Sequence, residues 1–226
     1  MRLSAIIVAA GRSTRVGFDK LLAPIAGKPV VQCSLEAFDQ TQCVDEIVVV
    51  CRESITETIS KLIATAAIKK VSAVVRGGER RQDSVAAGLQ AISTDAEFVA
   101  VHDSARPLIT PGEIDRVFFA AQEYGAAVLA APVTDTLKLA DANGLICDSI
   151  ERESVFAMQT PQIFSRQLLV SAYERVAKES RHITDEVSAV QALGAKVVIV
   201  SAKQQNMKIT FASDLPTAEL ILTQRS

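Results

Sequence analysis

Tryptophan is missing from this chain and tyrosine occurs twice; aromatic residues make up 4% of the sequence while hydrophobic residues make up 49%. A core must therefore be assembled from Val, Ile, Leu and Ala, which suits a parallel sheet buried on both faces beneath helices. Neither sign of charge is in excess: 24 Lys and Arg stand against 26 Asp and Glu, a net of −2. That balance argues against a broad nucleic-acid surface or a polybasic membrane contact, so any affinity for anions has to be local. No apolar run approaches the length of a membrane span. Met1–Arg2 and the stretch after them resemble the start of a secretory signal, but Arg12 and Arg15 cut that stretch short. The expectation is a soluble cytoplasmic protein without nucleic-acid or membrane partners.

Cysteine and histidine are also scarce. Cys33, Cys43, Cys51 and Cys147 show no CxxC spacing, which gives little support to a zinc site or a disulfide framework and leaves buried structural thiols as the expectation. His102 and His182 have no credible nucleophile beside them, so covalent acyl chemistry is disfavoured. His102 alternates away from the neighbouring Asp103 and reads as structural, whereas His182 lies in a polar stretch and reads as solvent-facing.

What the chain does contain is a recurring unit. The runs LSAIIVAA, DEIVVVC, VSAVV, EFVAVHD, GAAVLAAPV and AKVVIVSA are short and β-branched, and amphipathic stretches separate them. Ser54–Glu57 and Thr110–Glu113 fit capping boxes, the second with Pro111 at the first helical position, and Thr184–Glu186 reads as a helix start that Gly194 ends. At 226 residues the pattern predicts one domain, an open, twisted and mostly parallel α/β sheet with ligands at the C-terminal strand ends. One segment interrupts the alternation. Asn143–Gly144 lies between two short strand-like runs, predicting a β-hairpin arm at about residues 134–158. An isolated hairpin is marginal in water, so docking on a second copy, a homodimer, is expected.

The candidate chemistry lies at the ends of the predicted strands. Gly11 closes the first, and Arg12, Arg15, Lys20 and Lys28 follow it with Asp19 between them. Such a turn exposes amide groups and cations to an anion, or it is a solvated basic loop. It fits neither GxGxxG nor the P-loop pattern GxxxxGKS/T, which argues against a dinucleotide redox enzyme and a P-loop NTPase. Gly77–Gly78 form a second junction, with Ser84 in the helix beyond; amides there favour an anion or a nucleobase edge, unless this is only a glycine turn with exposed arginines. Asp103 and Arg106 form a third group: the carboxylate suits ribose hydroxyls or Mg2+, and the guanidinium suits a phosphate. Lys208, after the last strand, can bring another cation to the same crevice. Phosphoryl or nucleotidyl transfer needs mainly charge neutralisation and alignment, and this constellation supplies both.

The segments AAGRSTRVGFDK, GGERRQDSV, HDSARP, APVTDTLK, TPQIF, TDE and NMKIT, in this order from Ala9 to Thr210, resemble the 2-C-methyl-D-erythritol 4-phosphate cytidylyltransferase family. The resemblance implies a three-layer, Rossmann-like (glycosyltransferase-A-like) fold, a homodimer with a swapped arm, and a Mg2+-dependent (or other divalent-cation) reaction of CTP with 2-C-methyl-D-erythritol 4-phosphate that gives the CDP-linked alcohol and pyrophosphate. It implies that Ala9, Ala10, Gly11, Gly78, Ser84 and Ala105 surround the cytidine, with Asp103 at its ribose or at the polar substrate. Arg15 and Lys20 match the basic pair at the triphosphate and, with Lys208, are the catalytic candidates. Arg106, Thr160, Thr184 and Lys208 line the acceptor side, and Thr136 and Arg152 reach the acceptor phosphate of the neighbouring subunit. No protein metal ligand is assigned, the ion being held mainly by the CTP phosphates. The family's lysine usually stands in a Pro-Lys-Gln context and here stands in Asp19–Lys20–Leu21. Ser104 stands where alanine is common. Two alternatives are a cytidylyltransferase for another polyol phosphate, such as ribitol 5-phosphate, and a non-catalytic nucleotide-binding module.

Overall fold

A computed structural model describes residues 1–11 and 18–225. In chain order the strands are β1 (Leu3–Ala9), the short antiparallel pair β2 (Pro24–Ile25) and β3 (Lys28–Pro29), β4 (Val44–Cys51), β5 (Val71–Arg76), β6 (Phe98–Asp103), β7 (Ala126–Pro132), β8 (Leu137–Ala140), β9 (Ile146–Ile150), β10 (Phe156–Ser165) and β11 (Val198–Ser201). The helices are α1 (Val30–Gln40), α2 (Thr56–Thr65), α3 (Arg81–Ala91), α4 (Pro111–Tyr124), α5 (Arg166–Lys178), α6 (Glu186–Gln191) and α7 (Asp214–Arg225).

Seven strands form one sheet in the order β11-β7-β10-β6-β1-β4-β5. β6, β1, β4 and β5 run parallel, as do β11 and β7, while β10 runs antiparallel to both neighbours. Each of the six β-branched runs is a strand of this sheet. β10 was not anticipated as a strand, because its central residues, Gln159, Thr160, Pro161 and Gln162, lack the apolar continuity of the others.

Successive residues of a strand point to opposite faces, so one run feeds two cores. Ala5, Ile7 and Ala9 of β1 join a cluster with α1, α2, α4 and α7, whereas Ile6 joins one with α3, α5 and α6. The result is three layers with the sheet in the middle. α3 packs so tightly that a methyl at Gly88 would come within 2.5 Å of Ile6 Cγ2.

The helix signals hold unevenly. Thr110 caps α4 through its hydroxyl, which accepts from Glu113 N–H, and Pro111 occupies the first turn. Glu113 does not complete the box; its carboxylate accepts from Arg116 and from the Lys203 amide. The expected box at Ser54–Glu57 does not form, since Ser54 lies in a 3-10 turn where its hydroxyl accepts from Arg52 Nε, and α2 begins at Thr56. Asp185 caps α6, its carboxylate accepting from the Ser188 amide.

The predicted hairpin is a separate two-stranded sheet of β8 and β9, with Gly144 at a φ of 81° in its turn. Phe156–Met158, at the C-terminal end of the expected arm, pair with β7 in the main sheet instead. Of the cysteines, Cys51 is buried and Cys33 and Cys43 half-buried, but Cys147 is exposed on the arm, against expectation. Burial pushes the Cys33 thiol up to about 11 and the Cys43 thiol to about 12.

Candidate active site

The parallel register aligns the ends of four strands. Val8 lies beside Asp103, Ala9 beside Cys51, and Cys51 beside Arg76. The turns after β1, β4, β5 and β6 therefore open at one edge of the sheet, where a crevice is expected for this topology.

Two glycines shape its floor. At Gly77 a methyl would lie 2.6 Å from Ala10 Cβ and 2.7 Å from Ser84 Oγ, so the chain leaving β5 abuts the first turn without room for a side chain. Gly78 N–H donates to Ser84 Oγ at 3.2 Å, and that hydroxyl donates to Arg80 O at 3.2 Å. Ser84 is 1% exposed, so its hydroxyl is spent on shaping the loop. Ala9 and Ala105 are buried, and Gly11 is exposed. Arg12 and Arg15 lie outside the described residues. Arg52, which follows β4, spans the two ends of that segment: it donates to Gly11 O at 2.8 Å and pairs with the Asp19 carboxylate.

Asp103, the last residue of β6, is the electrostatic centre. Its Oδ1 accepts from Arg81 Nε at 2.9 Å and its Oδ2 from Lys208 Nζ at 2.6 Å. Burial would raise this carboxyl, but Arg81 and then Lys208 override it and hold it well below the usual carboxylate range. Arg81 turns its other two nitrogens onto Glu186, at 2.7 and 2.9 Å. Glu186 is 0% exposed, and its Oε1 also accepts from the Tyr173 hydroxyl at 2.9 Å. Behind Asp103, the Thr160 hydroxyl accepts from the Asp103 N–H at 3.1 Å and meets His102 Nδ1 at 3.0 Å. Thr160 was expected to face the acceptor, but with 4% exposure it faces inward and braces the end of β6. His102 is buried, as expected, and burial lowers its pKa to about 3. His182 is exposed.

The segment between β11 and α7 crosses this edge as a strap. Ile209 N–H donates to Ala105 O at 2.8 Å, and Asn206 Nδ2 to Thr160 O at 2.9 Å. Lys20 Nζ donates to Ile209 O at 2.8 Å, and Arg106 Nη1 to Asn206 O at 2.8 Å. Lys20 and Arg106 thus tie down the short strap that carries Lys208. Thr184 is exposed, its hydroxyl against Ser188 Oγ. Thr136 and Arg152 are exposed on the arm, where Arg152 donates to Thr134 O.

Sequence reasoning missed Arg52, Arg81, Tyr173 and Glu186. Arg81 read as one of several exposed arginines, and Glu186 as part of a helix start; the two lie 105 residues apart. A cavity of about 820 Å³ lies elsewhere, between α3 and α5. Ala86, Leu89 and Val170 line it together with Arg80, Arg166 and Arg181; it lies away from the strand ends, and none of the predicted site residues borders it.

A mostly parallel sheet with glycine junctions and with Arg81, Arg106, Lys20 and Lys208 gathered at its C-terminal edge defines a Rossmann-like α/β fold. The chain matches the model of the 2-C-methyl-D-erythritol 4-phosphate cytidylyltransferase family over residues 3–224 and belongs to that family, a family of nucleotidyltransferase enzymes. It is 41% identical to the cytidylyltransferase of this name from Caldanaerobacter subterraneus subsp. tengcongensis, covering 98% of this chain and 99% of that protein. It is 39% identical to the one from Pelotomaculum thermopropionicum, covering 99% and 95%. Among solved structures, the Thermus thermophilus cytidylyltransferase of the same name superposes with a TM-score of 0.81 at 32% identity, covering 99% of this chain and 100% of that one. The 4-diphosphocytidyl-2C-methyl-D-erythritol synthase from Anaerococcus prevotii gives 0.85 at 26% identity, covering 98% of each.

Proposed function

We propose that this protein transfers the cytidylyl group of CTP to 2-C-methyl-D-erythritol 4-phosphate in non-mevalonate isoprenoid precursor synthesis. The products are 4-diphosphocytidyl-2-C-methyl-D-erythritol and pyrophosphate. The observation that carries the reading is the convergence of Arg81 and Lys208 on Asp103 at the strand ends, in a chain of this family.

A phosphate oxygen of the acceptor attacks the α-phosphorus of CTP in line, and the bond from that phosphorus to the bridging oxygen of the pyrophosphate breaks. No protein nucleophile is needed, so the protein's task is to align the reactants and offset growing charge. Ala9, Ala10, Gly11, Gly78 and Ala105 form the cytidine side, with Ser84 shaping its loop. Arg15 and Lys20 meet the triphosphate. Lys208, held by Asp103, stands between the two substrates. Arg106 and Thr184 serve the acceptor side, where the buried Arg106 Nε has no hydrogen-bond partner among the described residues.

Mg2+, or another divalent cation, comes with the nucleotide and neutralises its phosphates when bound. Both Asp103 oxygens are already engaged by cations, and no cluster of three or more His, Cys, Asp or Glu side chains suited to a metal occurs among the described residues. No protein ligand is assigned to the ion, which is read as held mainly by the phosphate oxygens of CTP.

The arm is read as the contact between two copies, bringing Thr136 and Arg152 to the partner's acceptor site. Its support is the exposure of Leu139, Leu145, Ile146 and Ile150 on a hairpin too small to be stable alone. No helix among the described residues is long and apolar enough to cross a membrane; action in the cytoplasm completes the proposal.

The deciding assay supplies CTP and Mg2+ with either 2-C-methyl-D-erythritol 4-phosphate or ribitol 5-phosphate and follows pyrophosphate release. Faster turnover of the methylerythritol phosphate is expected. Preference for ribitol phosphate would sink the assignment, and nucleotide binding without turnover of either would leave only a binding module.

A further inference from the structure

The chain of contacts behind Asp103 extends away from the crevice. Tyr173 of α5 donates to Glu186 Oε1 at 2.9 Å; Glu186 of α6 holds two nitrogens of Arg81; Arg81, the first residue of α3, reaches Asp103 with the third. Four elements that meet only in the folded chain are thus joined through one guanidinium. An arginine could instead fork both arms onto Asp103, and such a bidentate pair occupies both carboxylate oxygens. Glu186 prevents this by taking Nη1 and Nη2, leaving Nε alone for Asp103 Oδ1. Oδ2 remains for Lys208, at 2.6 Å.

A buried carboxylate holds such an arrangement only if its own oxygens are satisfied. Glu186 is fully buried, and Tyr173, 8% exposed, supplies the additional donor on Oε1. Burial, reinforced by the nearby Glu186 charge, raises the Tyr173 hydroxyl, so it remains a donor across the working range.

Resting on the cytidylyl-transfer reading, we propose that Tyr173 and Glu186 are positioning residues. They act through Arg81 to hold Asp103 so that its second oxygen orients Lys208 toward the reacting phosphates. Neither faces the crevice, and neither belongs to the cation set that meets substrate.

Two variants test this. Tyr173→Phe removes one donor and keeps shape and charge. Glu186→Asp keeps the charge but is one methylene too short to serve both Arg81 and Tyr173. In each, kcat is expected to fall about tenfold, the rate equivalent of one hydrogen bond to a charged group, with KM for CTP within about twofold of wild type. The second readout needs no substrate. The 15N-detected ammonium signal of Lys208, assigned by its loss in Lys208→Met, should be protected in the wild type and broadened in both variants. Folded variants with unchanged kcat and an unchanged Lys208 signal would overturn the proposal, leaving Tyr173 and Glu186 as packing alone. If the wild-type protein turns over neither polyol phosphate, the functional reading fails, and the ammonium signal still decides whether this relay holds Lys208. Should Glu186→Asp not fold, Tyr173→Phe carries the same two measurements.

Discussion

Asp103 takes its character from neighbours that are remote in the chain. A carboxylate with 8% exposure would ordinarily be driven toward its neutral form, yet Arg81 and Lys208 keep it ionised. Because the folded protein binds that proton more weakly, the pairing's full stabilisation is present above an unfolded carboxylate pKa of about 3.9. It drains away as pH falls from there through the depressed folded value. His102 acts in a higher window. Its folded pKa is lowered to about 3, while the unfolded imidazole takes a proton near pH 6.5. Between these values the unfolded chain holds the extra proton, so stability falls as pH drops. Urea unfolding at pH 7 and pH 5 should show this loss, and His102→Gln, which cannot titrate, should lose less. Equal losses in both proteins would place the acid sensitivity elsewhere. For the cations, Arg15→Ala and Lys20→Ala should each lower kcat about a hundredfold, the equivalent of about 3 kcal/mol of transition-state stabilisation. Melting temperatures should change little, with the larger drop in Lys20→Ala because Lys20 also ties down Ile209 O. Turnover unchanged in both would mean that the turn after β1 is merely a solvated basic loop.

Elements were readable to the extent that their signals are local. Six strands announced themselves because strands covered on both faces must be apolar along their whole length. β10 escaped because Gln159–Gln162 face bonded polar neighbours: Gln162 donates to Asp185 and accepts from the Val187 amide. The failed cap at Ser54 has the same cause, a hydroxyl taken by Arg52, whose placement depends on the first turn. Two glycines of the α3 region separate site from scaffold. A methyl at Gly77 would press on Ala10 in the floor of the crevice, so Gly77→Ala should raise KM for CTP several-fold in steady-state kinetics. Gly88→Ala would press on Ile6 and Val50 in the core. It should cost about 1–3 kcal/mol by overpacking, seen as a lower melting temperature with KM near wild type. If Gly88→Ala instead raised KM at unchanged stability, the division between the two glycines would be wrong.

At the scale of the whole molecule, the arm carries the decisive prediction. Arg15 and Arg152 are read as serving one site from two different copies. Arg15→Ala and Arg152→Ala proteins, each impaired alone, should therefore recover part of the activity when mixed, because one site of each mixed dimer carries neither lesion. Absence of rescue, with subunit exchange shown by mass spectrometry, would count against a shared site. The exposed apolar side chains of the hairpin make the same point energetically, since Leu145 and Ile146 are 67% and 70% exposed.

The amino-acid order was sufficient for the layers, the glycine junctions, the hairpin turn and the cation candidates. Each of these follows from preferences that act over a few residues: alternation, turn chemistry, and the apolar demand of a buried strand. Arg81 and Glu186 could not be paired in that way. An arginine beside a glycine turn is ordinarily left in water, and a glutamate in a helix's first turn is ordinarily explained by the helix dipole. Packing α3, α5 and α6 on one face of the sheet buries Glu186 completely and Arg81 in part, and a charge without water must find its partner wherever the fold brings one, here 105 residues away.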